Sequence, residues 1–526
     1  MHRPTVMWRL TTACLTLLLA ATRAGAADLA IGLGSDITTM DPHFANISSN
    51  ADVHAHVFEK LMSFNGKNVL EPKLAESWTT VDPLTWEFKL RRSAKFHDGS
   101  DVTAEDVIYS LDRPATLTNS PSPFTLYTKF IVEKVAVDRY TVRLKTATPH
   151  ALMLEDLTNL FIVSKKAMTG LSTEDMNAGR GMIGTGAYRF VSFRRGDRIE
   201  FTRNDQYWGA RPQFEKVTQR IVVVPATRVA ALLAGDVQVI DRVPPADLAT
   251  LKTNPNLSVF TTLSSRVIYL SLDVSRDVTP FATDKAGVPL PKNPLKDARV
   301  RAAISKAINR AAIVDKVMEG NAVAAAQMIP LGWYGAAPAL KPEAADLDGA
   351  RKLLAQAGYP DGFQLTIHGT NDRYVNDAKI LQTIAQMLTR VGIVTKVDSM
   401  PVATFFGRAS KNEFSVLMAG WGGGRGHPDS YMKALSATYD AKTGFGSSNY
   451  GRYSNPRFDA LVVEAEATID PAQQEKLWQQ AATIAMGDQA ILPLHNQVNL
   501  WAARKGYVVV PRVDESTPAY DITLAR

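Results

Sequence analysis

The chain has 526 residues, 45% hydrophobic, 21% charged and 8% aromatic, with mean hydropathy −0.10. This excludes a disordered, fibrous or membrane-embedded protein and predicts a soluble one of roughly two to four lobes. Formal charge is +7, three of it from Arg3, Arg9 and Arg23, which leaves +4 beyond residue 26. Lys and Arg there interleave with Asp and Glu, without the basic stripe of a nucleic-acid binder.

The first element is a leader. Residues 1–9 carry Arg3 and Arg9, residues 10–21 (LTTACLTLLLAA) are apolar, and Ala24-Gly25-Ala26 fits an A-x-A cleavage site. This predicts a secretory signal over 1–26, a mature chain starting at Ala27 or Asp28, and a periplasmic protein. Cys14 is the only cysteine, and Thr11 stands where a lipobox wants Leu, so a free protein is expected rather than a lipid-anchored one. Without that cysteine the mature chain has no disulfide, thiolate nucleophile or cysteine metal site.

Leu84–Arg91 alternates Trp86, Phe88 and Leu90 with polar residues, the period of a half-buried strand, and Asp138–Lys145 repeats it with Tyr140, Val142 and Leu144. Between them Thr103 and Asp106 read as a helix cap and its third position. Thr227–Leu233 reads as a helix ending at Gly235, followed by a strand Val237–Ile240. Ala298–Arg310 places Val300, Ala303, Ile304, Ala307 and Ile308 on one helical face. Asp377–Val391 does the same with Ile380, Ile384, Met387 and Leu388, closed by Gly392. Strands Ile393–Val397 and Phe414–Met418 flank a short helix. Asp470-Pro471 with Gln473 opens another helix with a cap, an N1 proline and a capping box. Alternating helices and strands over 225–420 predict an α/β fold with largely parallel sheets.

Catalytic motifs are absent: no G-x-S-x-G, no H-E-x-x-H and no phosphate loop. The one G-x-G-x-x-G, Gly179–Gly184, follows a polar turn and precedes a strand, the reverse of a dinucleotide site. No histidine pair has metal-ligand spacing, and His97 beside Asp98-Gly99 reads as ordering a turn. No enzyme, cofactor or metal is expected.

The loop Gly420–Asp429 (GWGGGRGHPD) follows a strand, at the sheet edge where α/β ligands sit. Gly422, Gly423 and Gly424 allow close backbone approach, Trp421 offers a flat wall, and Arg425 a planar fork for an anion. Trp421 alone fits a core equally well, and Arg425 alone a solvated surface. Together with the glycines they point to binding.

Several segments in order carry a family likeness: Pro72–Leu111, Gly184–Gly209 (GTGAYRF…NDQYWG), Asp297–Ile308 (DARVRAAISKAI), Ala350–Phe363, Tyr450–Pro456 (YGRYSNP) and Ile491–Leu494. Over nearly its whole length the mature chain resembles the dipeptide/oligopeptide-type, family 5, extracytoplasmic solute-binding proteins of ABC importers. The resemblance implies a two-lobed α/β periplasmic binding protein (class II type) with an extra subdomain inserted in lobe I and a cleft between the lobes. Lobe I would comprise 27–45, 181–268 and 496–526, the insert 46–180, and lobe II 269–495, with crossings near 265–272 and 492–500. It further implies a monomer that closes by a hinge on a small peptide or peptide-like solute and passes it to ABC permease and ATPase subunits.

Relatives usually place an Asp three residues after the loop Trp, to pair with a peptide's amine; Gly424 stands there, and His427 replaces a later acid. An arginine after the strand Phe363–His368 holds the ligand carboxylate, and Arg373, beside Tyr374, matches it. This predicts an anionic, amine-blocked or amine-poor peptide-like ligand, unless Asp41 or Asp429 receives the amine. Asn46, Ser49, Asn50, Tyr127, Phe445 and Asn449 are further expected ligand contacts. The alternative function is a nickel or other metal-chelate binder on the same scaffold, using Arg373, Arg425, Trp421 and His427. A secreted hydrolase lacks any supporting motif.

Overall fold

The computed structural model describes residues 28–66, 69–422 and 426–525. The predicted leader with Cys14, and Gly423, Gly424 and Arg425 of the glycine loop, lie outside them. No helix among the described residues is long and apolar enough to cross a membrane.

Two α/β halves share one 12-stranded mixed sheet. In the first half, Leu29–Leu33 pairs in parallel with Lys216–Ile221 and Val239–Ile240. In the second, Phe363–Thr370 pairs in parallel with Ile393–Met400 and Val416–Trp421. Joining them are two long antiparallel strands, Leu257–Leu272 and Ile491–Arg504, which cross from one half to the other. The sheet is therefore mixed rather than largely parallel, because a crossing pair that runs out and back must be antiparallel.

The crossing ladder is interrupted between Leu263 and Val267. Ser264, Ser265 and Arg266 are buried there, so their polar groups need partners off the ladder. The Val513 carbonyl accepts from Ser265 N (3.0 Å), Ser264 Oγ (3.0 Å) and Ser265 Oγ (3.2 Å).

The period-two segments form a separate antiparallel sheet in the order Ala75–Asp82, Thr85–Leu90, Thr141–Thr146, Ile131–Asp138. Phe88, Leu90, Val142 and Leu144 are buried on its inner face. The second predicted strand starts later than expected: Asp138 ends the preceding strand, and its Oδ1 accepts from Tyr140 N (2.7 Å) to close the hairpin. Thr103 caps the Ala104–Asp112 helix as anticipated, with Asp106 at the third position, whose Oδ2 accepts from Thr103 N (2.9 Å) and Oγ1 (2.7 Å).

Both ends of the predicted 46–180 insert pack elsewhere: Val53, Val57, Phe161, Val163, Met168 and Met176 join the core under the Leu29–Leu33 sheet. The separate antiparallel sheet, residues 75–146, lies well inside those predicted bounds. The insert's Phe124, Leu126 and Tyr127 belong to an apolar cluster with Tyr431, Leu435 and Trp478 of the second half.

The helix predicted to Arg310 stops at Ala307, where Ile308 turns to extended backbone, and the helix from Asp377 ends at Thr389 before Gly392 (φ +102°). The G-x-G-x-x-G lies between the Thr173–Asn177 helix and the Tyr188–Arg194 strand. Its last glycine serves packing: a Cβ on Gly184 would stand 1.9 Å from the Val57 carbonyl oxygen.

His43, His54, His56, His97 and His495 are all pushed down to about 4 by burial. His56 shows why it stays neutral: Nδ1 donates to Asp52 O (3.0 Å) while Nε2 accepts from Ala519 N (3.0 Å). Below pH ~6.5 the unfolded chain takes up protons that the folded chain refuses until pH ~4, so stability falls over that window. Each histidine contributes up to about 3 kcal/mol of this loss. Asp52, raised by burial to about 7, acts in the opposite sense, as do Asp36, Glu59, Asp372, Asp377 and Asp521, whose carboxyls burial also raises, and they offset part of the loss. Urea unfolding is expected to give a clearly lower stability at pH 5 than at pH 7; an equal or higher value at pH 5 would contradict neutral burial of these rings.

Candidate functional site

A cleft with about 610 Å³ of open space lies between the halves, beside the interrupted ladder. The first half contributes Asn46, Ile47 and Ser48, where the chain enters the Ser48–Val57 helix, and the insert contributes Ser122, Tyr127 and Asn159. The crossing strand supplies Arg266 and Tyr269. The second half supplies Arg373, Tyr374, Phe406, Gly420, Trp421, Gly422 and Tyr450.

Strand Val416–Trp421 runs further than expected, so Trp421 sits at its end rather than in the loop. Its Nε1 faces Ser430 Oγ at 3.4 Å. Glycine at 420 is required because a Cβ would meet Ile268 at 2.7 Å and the Tyr374 ring at 2.8 Å. Tyr374 Oη donates to Gly420 O (3.2 Å), and the Arg266 and Arg373 guanidiniums lie 5.5 and 5.1 Å from the Tyr374 ring centroid.

The two lining arginines share one internal counter-ion. Glu515, on the C-terminal segment of the first half, accepts from Arg266 Nε (2.8 Å) and Nη2 (2.6 Å) and from Arg373 Nη2 (2.5 Å). Arg266 Nη2 also donates to Ser48 Oγ (2.7 Å). Burial alone would raise the Glu515 carboxyl, but Arg266, Arg373 and Arg242 hold it well below the usual carboxylate range. Burial pulls Arg373 down from its ordinary value, against the opposing field of Glu515. Arg373 Nη1 is buried without a hydrogen-bond partner. No acidic side chain lines the cleft among the described residues.

Asn46, Tyr127, Arg373, Tyr374, Trp421 and Gly422 thus come together, with Asn46 Nδ2 donating to Tyr127 Oη (3.2 Å). Gly423, Gly424 and Arg425 are outside the described residues. The other expected contacts are not in the lining. Asn50 is buried and spends its amide on Thr38 N and Oγ1 (2.8 Å each), bracing its own loop. Ser49 is buried at the start of the Ser48–Val57 helix. Asn449 bonds Ala437 O, Tyr453 O and Tyr453 N, fixing a turn. Phe445 packs on the apolar cluster of the insert. His427 is buried, its Nδ1 2.7 Å from Asp429 Oδ1 and its ring stacked on Tyr334.

Both acids considered for a ligand amine are already paired. Asp41 holds Arg113 in a two-pronged bridge (2.6 Å each). Asp429 is held by His427 and by Lys433 (3.6 Å).

Sequence reasoning missed Arg266, Tyr269, Phe406, Tyr450 and the counter-ion Glu515. Arg266 left a signal in the polar triplet Ser264-Ser265-Arg266, which breaks an apolar strand.

Among the described residues, one group is spaced to hold a metal: His150, Asp156 and Glu466. Lys433 Nζ stands in its midst, 3.1 Å from Asp156, 2.8 Å from Glu466 and 3.6 Å from Asp429. Burial would lower the ammonium, but these carboxylates hold it well above its ordinary value. The group is an ion-pair cluster filled by a side chain.

Residues 69–443 match the family model described as "Bacterial extracellular solute-binding proteins, family 5 Middle". A glutathione-binding protein, GsiB, from Shigella boydii serotype 4 is 28% identical over 489 residues, covering 91% of each chain. The periplasmic binding protein DppA from Helicobacter pylori, solved with the peptide STSA, superposes with a TM-score of 0.84 at 24% identity, covering 95% of this chain and 98% of that one. AgaA from A. tumefacien R10, solved with agropinic acid, gives a TM-score of 0.84 at 24% identity over 95% and 99%. These two solved structures share the two-lobed architecture.

Proposed function

We propose, from the premise that the chain belongs to the family 5 bacterial extracellular solute-binding proteins, that its cleft captures an acidic, peptide-like solute without reading a free amine. As in its family, the protein serves an ABC importer by binding a peptide-type solute between hinged lobes. Working in the periplasm as a monomer, it would hand the solute to a permease with its ATPases.

The observation that carries the acidic reading is the lining: Arg266 and Arg373, hydroxyls, amides and aromatic rings, and no carboxylate among the described residues. A carboxylate on the solute meets the unpartnered Arg373 Nη1, and closure strengthens that contact by removing water. A peptide's ammonium group would instead be desolvated beside two guanidiniums that already engage the one nearby carboxylate, Glu515. Trp421, Tyr374 and Phe406 supply apolar walls for the solute's body.

Calorimetry with Ala-Ala, N-acetyl-Ala-Ala and glutathione tests this. The N-acetyl compound is expected to bind at least tenfold tighter than Ala-Ala, because both present the carboxylate but only Ala-Ala must bury an ammonium group that has no counterpart in the lining. Tighter binding of Ala-Ala sinks the reading. Glutathione, the solute named for a relative, carries two carboxylates and one amine and measures how far an amine is tolerated. The metal-chelate alternative would use Arg373 and Trp421 of the lining to hold an organic chelate, while His427 is not among the lining residues. Metal analysis with and without added histidine checks it directly.

A further inference from the structure

Behind the cleft, the guanidiniums of Arg242, Arg266 and Arg373 converge on Glu515. Arg266 engages it with two nitrogens (2.8 and 2.6 Å), Arg373 with one (2.5 Å), and Arg242 stands 3.8 Å away. Arg242 has a second acid, Asp241, at 3.8 Å. Asp372, next to Arg373 in the chain, is turned to the Val402 N–H (2.9 Å). The two lining guanidiniums, Arg266 and Arg373, thus share the single hydrogen-bonded carboxylate of Glu515, and Arg373 Nη1 and Arg242 Nη1 are buried without partners.

Glu515 is held in place by a specific turn. Its backbone is left-handed (φ +62°), an unfavourable state for a residue with a Cβ. Asp514 Oδ1 accepts from Ser516 N (3.1 Å) and Oγ (2.6 Å) and so braces the turn. The carboxylate is fixed behind the lining arginines and is not a mobile surface charge.

We propose that Glu515 is a specificity-determining residue: its fixed carboxylate cancels one guanidinium, so the cleft takes a solute presenting a single carboxylate at Arg373 and rejects a doubly charged group there. The proposal deepens the acidic-solute reading, on which it rests, by naming the charge the site is set to. A carboxylate sharing Arg373 with Glu515 finds one charge to neutralise. A sulfate or phosphate brings a second negative charge into a buried wall already carrying Glu515, where like charges repel strongly. Selectivity of this kind comes from the repulsive element, not from an added contact.

Sulfate and formate serve as the dianionic and monoanionic probes, with half-saturation read by tryptophan fluorescence. In the wild type, formate is expected to bind more tightly than sulfate; the reverse order overturns the proposal without any variant. In E515Q the sulfate-to-formate affinity ratio is expected to rise at least tenfold, and E515A, which removes the same charge without relying on the fit of an amide, should do likewise. E515D keeps the charge and the wild-type ratio. A merely structural Glu515 would weaken both probes together and leave the ratio unmoved. The sulfate gain must vanish in E515Q/R373A; a gain that persists lies elsewhere and overturns the proposal. Failure of the N-acetyl peptide to bind would count against the acidic-solute reading alone, because the probe ratio is read separately.

Discussion

Alanine at position 373 is expected to weaken capture of an acidic peptide-like solute by a factor of about 30 to several thousand. Arg373 is 2% exposed, lines the cleft, and carries a buried nitrogen without a partner. Truncating one side of a buried charge pair costs about 2–5 kcal/mol, and about 1.4 kcal/mol is tenfold in affinity. The fold should survive, because Glu515 keeps the two-pronged bridge from Arg266 when Arg373 is gone. Arg373→Lys preserves the charge but not the planar fork, and should fall between the two. Calorimetry with N-acetyl-Ala-Ala reads both variants. Wild-type affinity in Arg373→Ala would remove this residue from the binding site.

Lys433→Met is expected to destabilise the protein by about 3–5 kcal/mol, the typical result of stripping one partner from a buried ion pair. Lys433 is 1% exposed and stands between Asp156 of the insert and Asp429 and Glu466 of the second half. Methionine replaces the stem but leaves these carboxylates facing one another. Buried like charges without the ammonium repel one another, and acid relieves that repulsion. The gap between variant and wild type should therefore narrow as pH drops from 7 to 5. Urea unfolding at the two pH values checks both the size and the trend; a gap that widens at pH 5 would contradict the ion-pair account.

Much of the architecture was legible from local pattern. Period-two alternation marked Thr85–Leu90, and Asp470-Pro471 marked the Pro471–Asp488 helix, whose Asp470 Oδ1 accepts from Gln473 N (2.8 Å). Both rest on neighbours in sequence. The cleft was legible only in part. Trp421 was singled out because strand ends in an α/β sheet gather at the ligand edge, and Arg373 only because the family resemblance pointed to it; both line the cleft. Asn50 and Asn449 were selected as contacts, yet their amides serve their own loops. Sequence alone does not distinguish an asparagine that braces a turn from one that meets a solute, because both want a polar residue in a loop. Glu515 escaped notice because its partners Arg266 and Arg373 are brought to it only when the chain folds back through the crossing strands, across a separation of 249 and 142 residues.

The gap in the crossing ladder gives the two cleft arginines different travel. Arg266 sits inside it, next to the Val513 carbonyl that anchors its neighbours. Any swing about this pivot barely displaces Arg266, whereas Arg373, carried on the far half, sweeps a longer arc. Glu515 bonds both, and so ties Arg373 of the far half to Arg266 inside the gap.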